Sequence, residues 1–134
     1  MKYLLDTNTC IRYINGRAPL IQQKMSKIAD RDIVVCSITR AEMAYGVAKS
    51  QHPELSLRKQ IGFLSRFESL PFDDACTKQF GVLRARLELA GTPIGAYDMQ
   101  IATIGQVHKL IVVTHNTREF GRVLGLQIED WEIA

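Results

Sequence analysis

The stretch KYLLDTN, residues 2–8, indicates both the fold and the place where a functional site can form. Its three large apolar residues, Tyr3 to Leu5, are typical of a short buried strand. The next residue is a carboxylate, Asp6. A charge at the end of a buried strand is costly unless it is paired, hydrated or bound to a metal. Asp6 is therefore a helix cap, a surface residue or a ligand.

Two more apolar stretches are rich in β-branched residues and predict buried strands: IVVCSI at 33–38 and IVVT at 111–114. Helical patterns alternate with these strands, which predicts an α/β fold with a parallel sheet of about five short strands and helices on both faces. The other two predicted strands are residues 70–72 and 126–131. The predicted helices are 7–14, a helix that opens at Pro19, 39–50, 53–69, a helix from Asp73 or Asp74 to Ala90, 96–110 and 117–123.

The composition, 46% hydrophobic and 23% charged over 134 residues, is typical of one globular domain spanning 1–134. No apolar run is long enough to span a membrane and no secretory signal is evident, so a cytoplasmic location is expected. The net charge of +3 permits a polyanionic partner without requiring one. The three cysteines, Cys10, Cys36 and Cys76, are expected to be buried thiols.

Four acids follow predicted strands or lie at the start of predicted helices. They are Asp6, Glu42, Asp98 and Glu119. In open parallel sheets, ligands bind beyond the carboxyl ends of the strands. All four acids can therefore reach the same edge of one sheet, although they are far apart in the sequence.

Each acid also has a purely structural explanation. Thr39-x-x-Glu42 and Asn116-x-x-Glu119 fit the capping box, in which the first residue caps a helix and the acid reaches back to it. Asp98, in a first helical turn, would complement the helix dipole. Asp6 could cap the helix that follows it. Capping does not explain why the acids should gather at one edge of the sheet.

A divalent cation would explain why the acids lie together. The predicted helix around Asp98 is apolar nearly all round, so it is expected to be buried, and a buried carboxylate needs a partner. Carboxylates that lie close together repel and raise one another's pKa values, a conflict that a cation removes. Oxygen ligands without clustered His or Cys suit Mg²⁺ or Mn²⁺ rather than zinc. Such an ion commonly acts on phosphoryl groups by activating water and neutralising the phosphate.

Four motifs in order, with a fifth near the end of the chain, resemble the PIN-domain ribonucleases and, more narrowly, the VapC-type toxins of bacterial toxin–antitoxin pairs. The motifs are LLDTN at 4–8, SITRAEMAYG at 37–46, GAYDMQIA at 95–102, VTHNTREF at 113–120 and EDW at 129–131. Their order and spacing match across nearly the full length. The resemblance implies a PIN-like three-layer fold and an endoribonuclease that depends on Mg²⁺ or Mn²⁺.

The resemblance also implies roles for the acids. Asp6, Glu42 and Asp98 match the family's three acids, with Asp6 and Asp98 as direct metal ligands. Glu42 would orient the attacking water or bind the metal through one. Glu119 is the nearest candidate for a fourth acid, and it either binds metal through water or only caps its helix. Four nearby donors would aim the carboxylates: Thr7, Asn8, Thr114 and Asn116.

Such toxins commonly cut structured RNA, often tRNA, leaving a 5′-phosphate, and are silenced by a small VapB-type antitoxin; a homodimer is also implied. An acidic pocket would attract an Arg from such an inhibitor. Basic residues are expected to hold the RNA backbone: Arg12, Arg40, Lys49, Arg84 and Arg86. For Arg84 and Arg86 taken singly, the solvated face of a helix is the favoured explanation.

Other readings of the same acids differ in what they require. A haloacid-dehalogenase-like phosphatase needs a second Asp two residues after the first, and that position is Asn8. A response-regulator receiver needs paired acids after the first strand and a Lys after the last core strand, and neither is present. A PIN-like domain that binds RNA or protein without metal or catalysis remains as the alternative to the nuclease.

Overall fold

Five short strands form the central sheet, and every neighbouring pair is parallel. The computed structural model describes residues 1–133; Ala134, the last residue of the predicted domain, lies outside the described residues. The strands are β1 Tyr3–Leu5, β2 Ile33–Cys36, β3 Glu68–Leu70, β4 Ile111–Val113 and β5 Ile128–Glu129. Their order across the sheet is β3-β2-β1-β4-β5, so the first strand lies in the middle.

Helices cover both faces of the sheet, which confirms the predicted three-layer α/β fold. They are α1 Thr7–Ile14, α2 Pro19–Ser26, α3 Ser37–Ala48, α4 Pro53–Leu64, α5 Asp74–Leu89, α6 Ala96–Val107 and α7 Thr117–Phe120. Because side chains alternate along a strand, β1 supplies both cores. Tyr3 and Leu5 pack with residues of α1–α4, whereas Leu4 packs with residues of α5–α7. Across residues 1–133, none of the helices combines the length and apolar character that a membrane span needs.

The predicted strands at 70–72 and 126–131 are displaced or too long. Strand β3 occupies Glu68–Leu70, where it pairs with β2, and Pro71 follows it. A proline has no N–H for the ladder, so the strand ends there, and α4 ends at Leu64 rather than residue 69 to leave room for it. Strand β5 is limited to Ile128–Glu129 by its short pairing with β4. In the edge strand β3, Glu68 is polar and exposed, which explains why the apolar pattern placed this strand too late in the sequence.

The three cysteines are buried and form no disulfide, as expected from their apolar surroundings. Burial raises the pKa of the Cys10 thiol well above its ordinary value and raises that of Cys36 as well. Both thiols therefore stay protonated and act as small apolar groups between the sheet and its helices.

Close packing of α6 against the sheet depends on Gly105. A Cβ added there would lie 2.8 Å from Cγ2 of Val112 and 3.4 Å from Cδ1 of Leu126. Val112 is fully buried in β4, so it has little room to move away. The glycine therefore lets α6 approach the sheet closely, and α6 carries Asp98 in its first turn.

We expect Gly105→Ala to destabilise the protein by about 1–3 kcal/mol, because the added methyl overpacks the core. Gly81→Ala is the matched control, since Gly81 lies inside α5 with open space around its Cα. That change should stabilise the protein by about 0.5–1 kcal/mol through helix propensity. Urea unfolding measures both, and equal stabilisation by the two variants would contradict the packing described here.

Candidate active site

Asp6 lies at the junction of β1 and α1, where it is 4% exposed. Its Oδ1 accepts a hydrogen bond of 2.9 Å from the backbone N–H of Thr9, so Asp6 does cap α1. Burial raises the pKa of this carboxyl above its ordinary value, although hydrogen bonds from Thr114 and Thr9 act in the opposite direction. The cap involves Oδ1 of the carboxylate, so capping does not use the second oxygen.

Glu42 reaches the same place from α3. The Thr7 hydroxyl, on α1, donates a hydrogen bond of 2.6 Å to Oε1 of Glu42 and lies 3.1 Å from the Thr39 hydroxyl. The predicted Thr39-x-x-Glu42 capping box is therefore wrong. Helix α3 begins at Ser37, directly after the extended residue Cys36, so Thr39 lies inside the helix and faces Thr7.

Asp98 and Glu119 are joined by Asn116. The Asn116 side-chain amide donates to Oε2 of Glu119 at 2.6 Å and to Oδ2 of Asp98 at 3.3 Å. The Asn116 backbone N–H in turn donates to the Thr114 hydroxyl at 2.9 Å. The Asn116 side chain makes no capping bond to α7, so the second predicted capping box is wrong as well. Its amide is directed at the two acids instead.

The pKa of Asp98 is raised from its ordinary value to about 6. Partial burial is the largest cause, followed by the negative charges of Asp6, Glu119 and Glu42, while the Asn116 hydrogen bond lowers it. All three other acids are therefore close enough to act on Asp98. The structure brings the four predicted acids to one edge of the sheet, at the carboxyl ends of β1, β2 and β4.

The donor set of this site suits a hard divalent cation. None of its four carboxylates forms an ion pair with Lys, Arg or His among residues 1–133. Their partners are hydroxyls, a backbone N–H and one amide. Oxygen-only ligands with uncompensated negative charge are what Mg²⁺ and Mn²⁺ prefer. The residues present therefore fit such an ion.

Three of the four predicted supporting donors lie at the acids, and the fourth lies beside them. Thr7, Thr114 and Asn116 contact the acids or hold a residue that does. Asn8 is exposed on α1 and makes no side-chain hydrogen bond to any of the four acids. It lines an adjoining cleft together with Asn116.

A second group of titratable side chains was not foreseen from the sequence. The group consists of His115, Asp130 and Glu132, whose polar atoms lie within 4.8 Å of one another. Within residues 1–133, no three of the four acids have carboxylate oxygens that all lie within that distance. His115 Nδ1 lies 2.9 Å from Oδ2 of Asp130, and Arg12 forms an ion pair with Glu132. The EDW motif at 129–131 marked the segment, but no spacing rule connects it with Arg12.

The other basic residues predicted to contact RNA lie elsewhere on the surface. Arg84 pairs with Glu88 one turn along α5, as on a solvated helix face. Arg40 lines a cleft between α3 and α4, and the Lys49 ammonium lies over the ring of Tyr45. Their contact with RNA stays a prediction.

The raised pKa of Asp98 predicts how the metal-free protein responds to pH. The folded protein holds this proton more tightly than the unfolded chain does, so stability falls as the pH rises from about 4 to about 6. Asp98→Asn removes the charge. In EDTA at pH 7 we expect its melting temperature to equal or exceed that of the natural protein, with the difference vanishing near pH 4.

Asp74→Asn is the control, because Asp74 occupies the first turn of α5 and its charge favours the helix dipole. That variant should show no gain. A melting temperature of Asp98→Asn clearly below that of the natural protein at pH 7 would indicate that Asp98 is structural.

Comparison with known proteins places these observations in one family. Residues 3–125 match the PIN domain family. The tRNA(fMet)-specific endonuclease VapC of Salmonella typhimurium is 42% identical over 131 residues, 98% of each chain. Ribonuclease VapC2 of Rickettsia felis is 38% identical over 133 residues, 98% of this chain and 99% of the relative.

Solved structures agree with this assignment. The fold superposes on the structure of DNA-bound VapBC from Salmonella typhimurium with a TM-score of 0.92 at 42% identity, covering 98% of both chains. It superposes on VapBC-1 from nontypeable Haemophilus influenzae with a TM-score of 0.87 at 32% identity, again covering 98% of both. The chain therefore belongs to the PIN-domain family and, within it, to the VapC proteins.

Proposed function

We propose that this protein is an endoribonuclease toxin that cleaves tRNA with the help of Mg²⁺ or Mn²⁺ and is inhibited by a VapB-type antitoxin. The observation that carries the proposal is the set of three acids whose charges act on Asp98, with none of the four acids paired to a basic side chain within residues 1–133. A similar protein over 98% of the chain is named a tRNA(fMet)-specific endonuclease. The solved VapBC relatives support the antitoxin as partner.

In this proposal Asp6 and Asp98 hold the cation. Asp6 offers the oxygen that is not used in capping α1, and Asp98 offers the oxygen that is not bonded to Asn116. When bound, the ion neutralises charge on the phosphate and lowers the pKa of the attacking water. Asn116 is a positioning residue, because its amide fixes Asp98 and Glu119 relative to each other.

Glu42 orients the attacking water. Thr7 donates to Oε1 of Glu42 and holds the carboxylate in place, which leaves Oε2 to accept a hydrogen bond from the water. Attack on the phosphorus breaks the bond to the 3′-oxygen, so the products carry a 5′-phosphate and a 3′-hydroxyl. Glu119 contributes through its charge and its contact with Asn116, and it would reach a bound metal through water.

The whole chain, 1–134, is one such nuclease domain in this account. A cytoplasmic location follows from a tRNA substrate, and a homodimer follows from the resemblance to VapC proteins. Mg²⁺ or Mn²⁺ is the expected ion, because the site offers oxygen ligands alone.

Incubation of the purified protein with bulk tRNA tests the proposal. We expect defined cuts in Mg²⁺ or Mn²⁺ and none in EDTA, and we expect Asp98→Asn to cut at least about 100-fold more slowly. Asp74→Asn changes the same residue type in the first turn of another helix, α5, away from the site, and should cut like the natural protein.

Two results would overturn the assignment. Equal cutting by a folded Asp98→Asn variant would remove the role given to that residue. Tight RNA binding without any metal-dependent cutting would favour a non-catalytic PIN-like domain instead.

A further inference from the structure

An open cleft of about 560 Å³ adjoins the four acids. Its lining residues are Asn8, Ile11, Arg12, His115, Asn116 and Glu132. Two observations connect it with the acidic site. Asn116, which bonds to Asp98 and Glu119, forms part of its wall, and the charge of Glu132 contributes to the raised pKa of Asp6. A polymer bound across the acids would therefore also pass this cleft.

Arg12 presents a fixed guanidinium group to the cleft. Its Nε pairs with Oε1 of Glu132, and no other protein partner takes its two terminal nitrogens among residues 1–133. The Arg12 side chain is 45% exposed, whereas that of Glu132 is 9% exposed. The buried acid thus holds the exposed cation in one orientation with its outer N–H groups free. A guanidinium presented in this way matches the geometry of a phosphate.

His115 lies on the same wall and is held in the same manner. Its Nδ1 is 2.9 Å from Oδ2 of Asp130, so the opposite ring nitrogen, Nε2, is left for a ligand. The His115 side chain is 61% exposed and that of Asp130 is 8% exposed. The hydrogen bond to Asp130 raises the pKa of His115, while the charge of Arg12 opposes this. Arg12 and His115 line the same cleft, so the two side chains are near each other.

The EDW motif explains why these acids stay in place. Trp131 is 4% exposed and packs edge-on against Tyr3 of β1, with ring centres 5.1 Å apart. Its Nε1 donates to Glu129 at 2.9 Å, and Oδ1 of Asp130 accepts from the Glu132 backbone N–H at 2.9 Å. The segment is therefore anchored to the central strand. Asp130 contacts His115 and Glu132 contacts Arg12, so these two acids are not directed into solvent.

We propose that Arg12, positioned by Glu132, binds an RNA backbone phosphate beside the one cleaved at the acids, with His115 as a second contact. The proposal rests on the nuclease function proposed above and names how the substrate is held. Four carboxylates repel RNA, so affinity has to come from cations that border them. The trio of His115, Asp130 and Glu132 is already paired with the charge of Arg12, which makes it an orienting group rather than a second cation site.

The phosphate contact of Arg12 is tested by measuring how bulk tRNA binds to the Asp98→Asn protein in EDTA, where no cleavage occurs, over a series of salt concentrations. The logarithm of the binding constant falls linearly with the logarithm of the salt concentration, and each lost phosphate contact reduces the magnitude of that slope by about 0.7–0.9. We expect Arg12→Gln, added to the Asp98→Asn protein, to reduce the magnitude of the slope by that amount and to weaken binding by about tenfold. Arg12→Lys should retain the slope, because it keeps the charge, with a smaller loss of affinity.

Arg66→Gln is the matched control. Arg66 also pairs with a carboxylate, Asp30, but these residues precede β3 and β2 and so lie at the opposite edge of the sheet. If Arg12→Gln is unstable because Glu132 is left unpaired, the double variant Arg12→Gln/Glu132→Gln removes that charge and should show the same loss of slope.

A slope in folded Arg12→Gln, or in the folded double variant, that equals the slope of Arg66→Gln would overturn the phosphate contact. This outcome is distinct from failure of the nuclease itself, which would appear as absence of cutting by the natural protein in Mg²⁺ or Mn²⁺.

Discussion

The central position of β1, between β2 and β4, decides which side chains can meet in this protein. Parallel strands end at the same edge of a sheet, so the residues that follow β1, β2 and β4 converge there although 108 positions separate Asp6 from Thr114. Helices begin directly after these strands with little or no loop. Each of these helices therefore starts at that edge, with Asp6 at the cap of α1, Glu42 inside α3 and Glu119 in the first turn of α7. Asp98 reaches the same edge from the first turn of α6, so the fold rather than local sequence brings the acids together.

Bringing four carboxylates together costs free energy because they repel one another, and the fold does not remove this repulsion. Hydroxyls, a backbone N–H and one amide orient the carboxylates, but none of them supplies a positive charge. The pKa of Asp98 is raised first by partial burial and then by the charges of Asp6, Glu119 and Glu42, and this second contribution reflects the repulsion that remains. A divalent cation would offset it, so the same arrangement that weakens the metal-free protein would create affinity for the ion. Basic residues lie outside this site and are left to interact with the substrate and with other acids.

Most of the architecture was predictable because β1, β2 and β4 are short, apolar and followed by polar residues. Strand β3 was misplaced because Glu68 and Ser69 lack an apolar pattern, and its position depends on pairing with β2. Asp6, Glu42 and Glu119 were foreseen from their positions after predicted strands, and Asp98 from its place in the first turn of a predicted helix. The two capping boxes were wrong because α3 starts at the end of β2 and because Asn116 bonds to acids. The contact of Arg12 with Glu132 joins residues 120 positions apart, and no local signal announces it.

The most direct test of the account is the location of Mn²⁺ by anomalous X-ray scattering in crystals of the protein grown with that ion. We expect an anomalous Mn²⁺ peak within coordination distance of the Asp6 and Asp98 carboxylates, with Asn116 still bonded to Asp98 and Glu119. A peak at His115, Asp130 and Glu132 with none between Asp6 and Asp98 would contradict it, because the four converging acids would then not be the metal site.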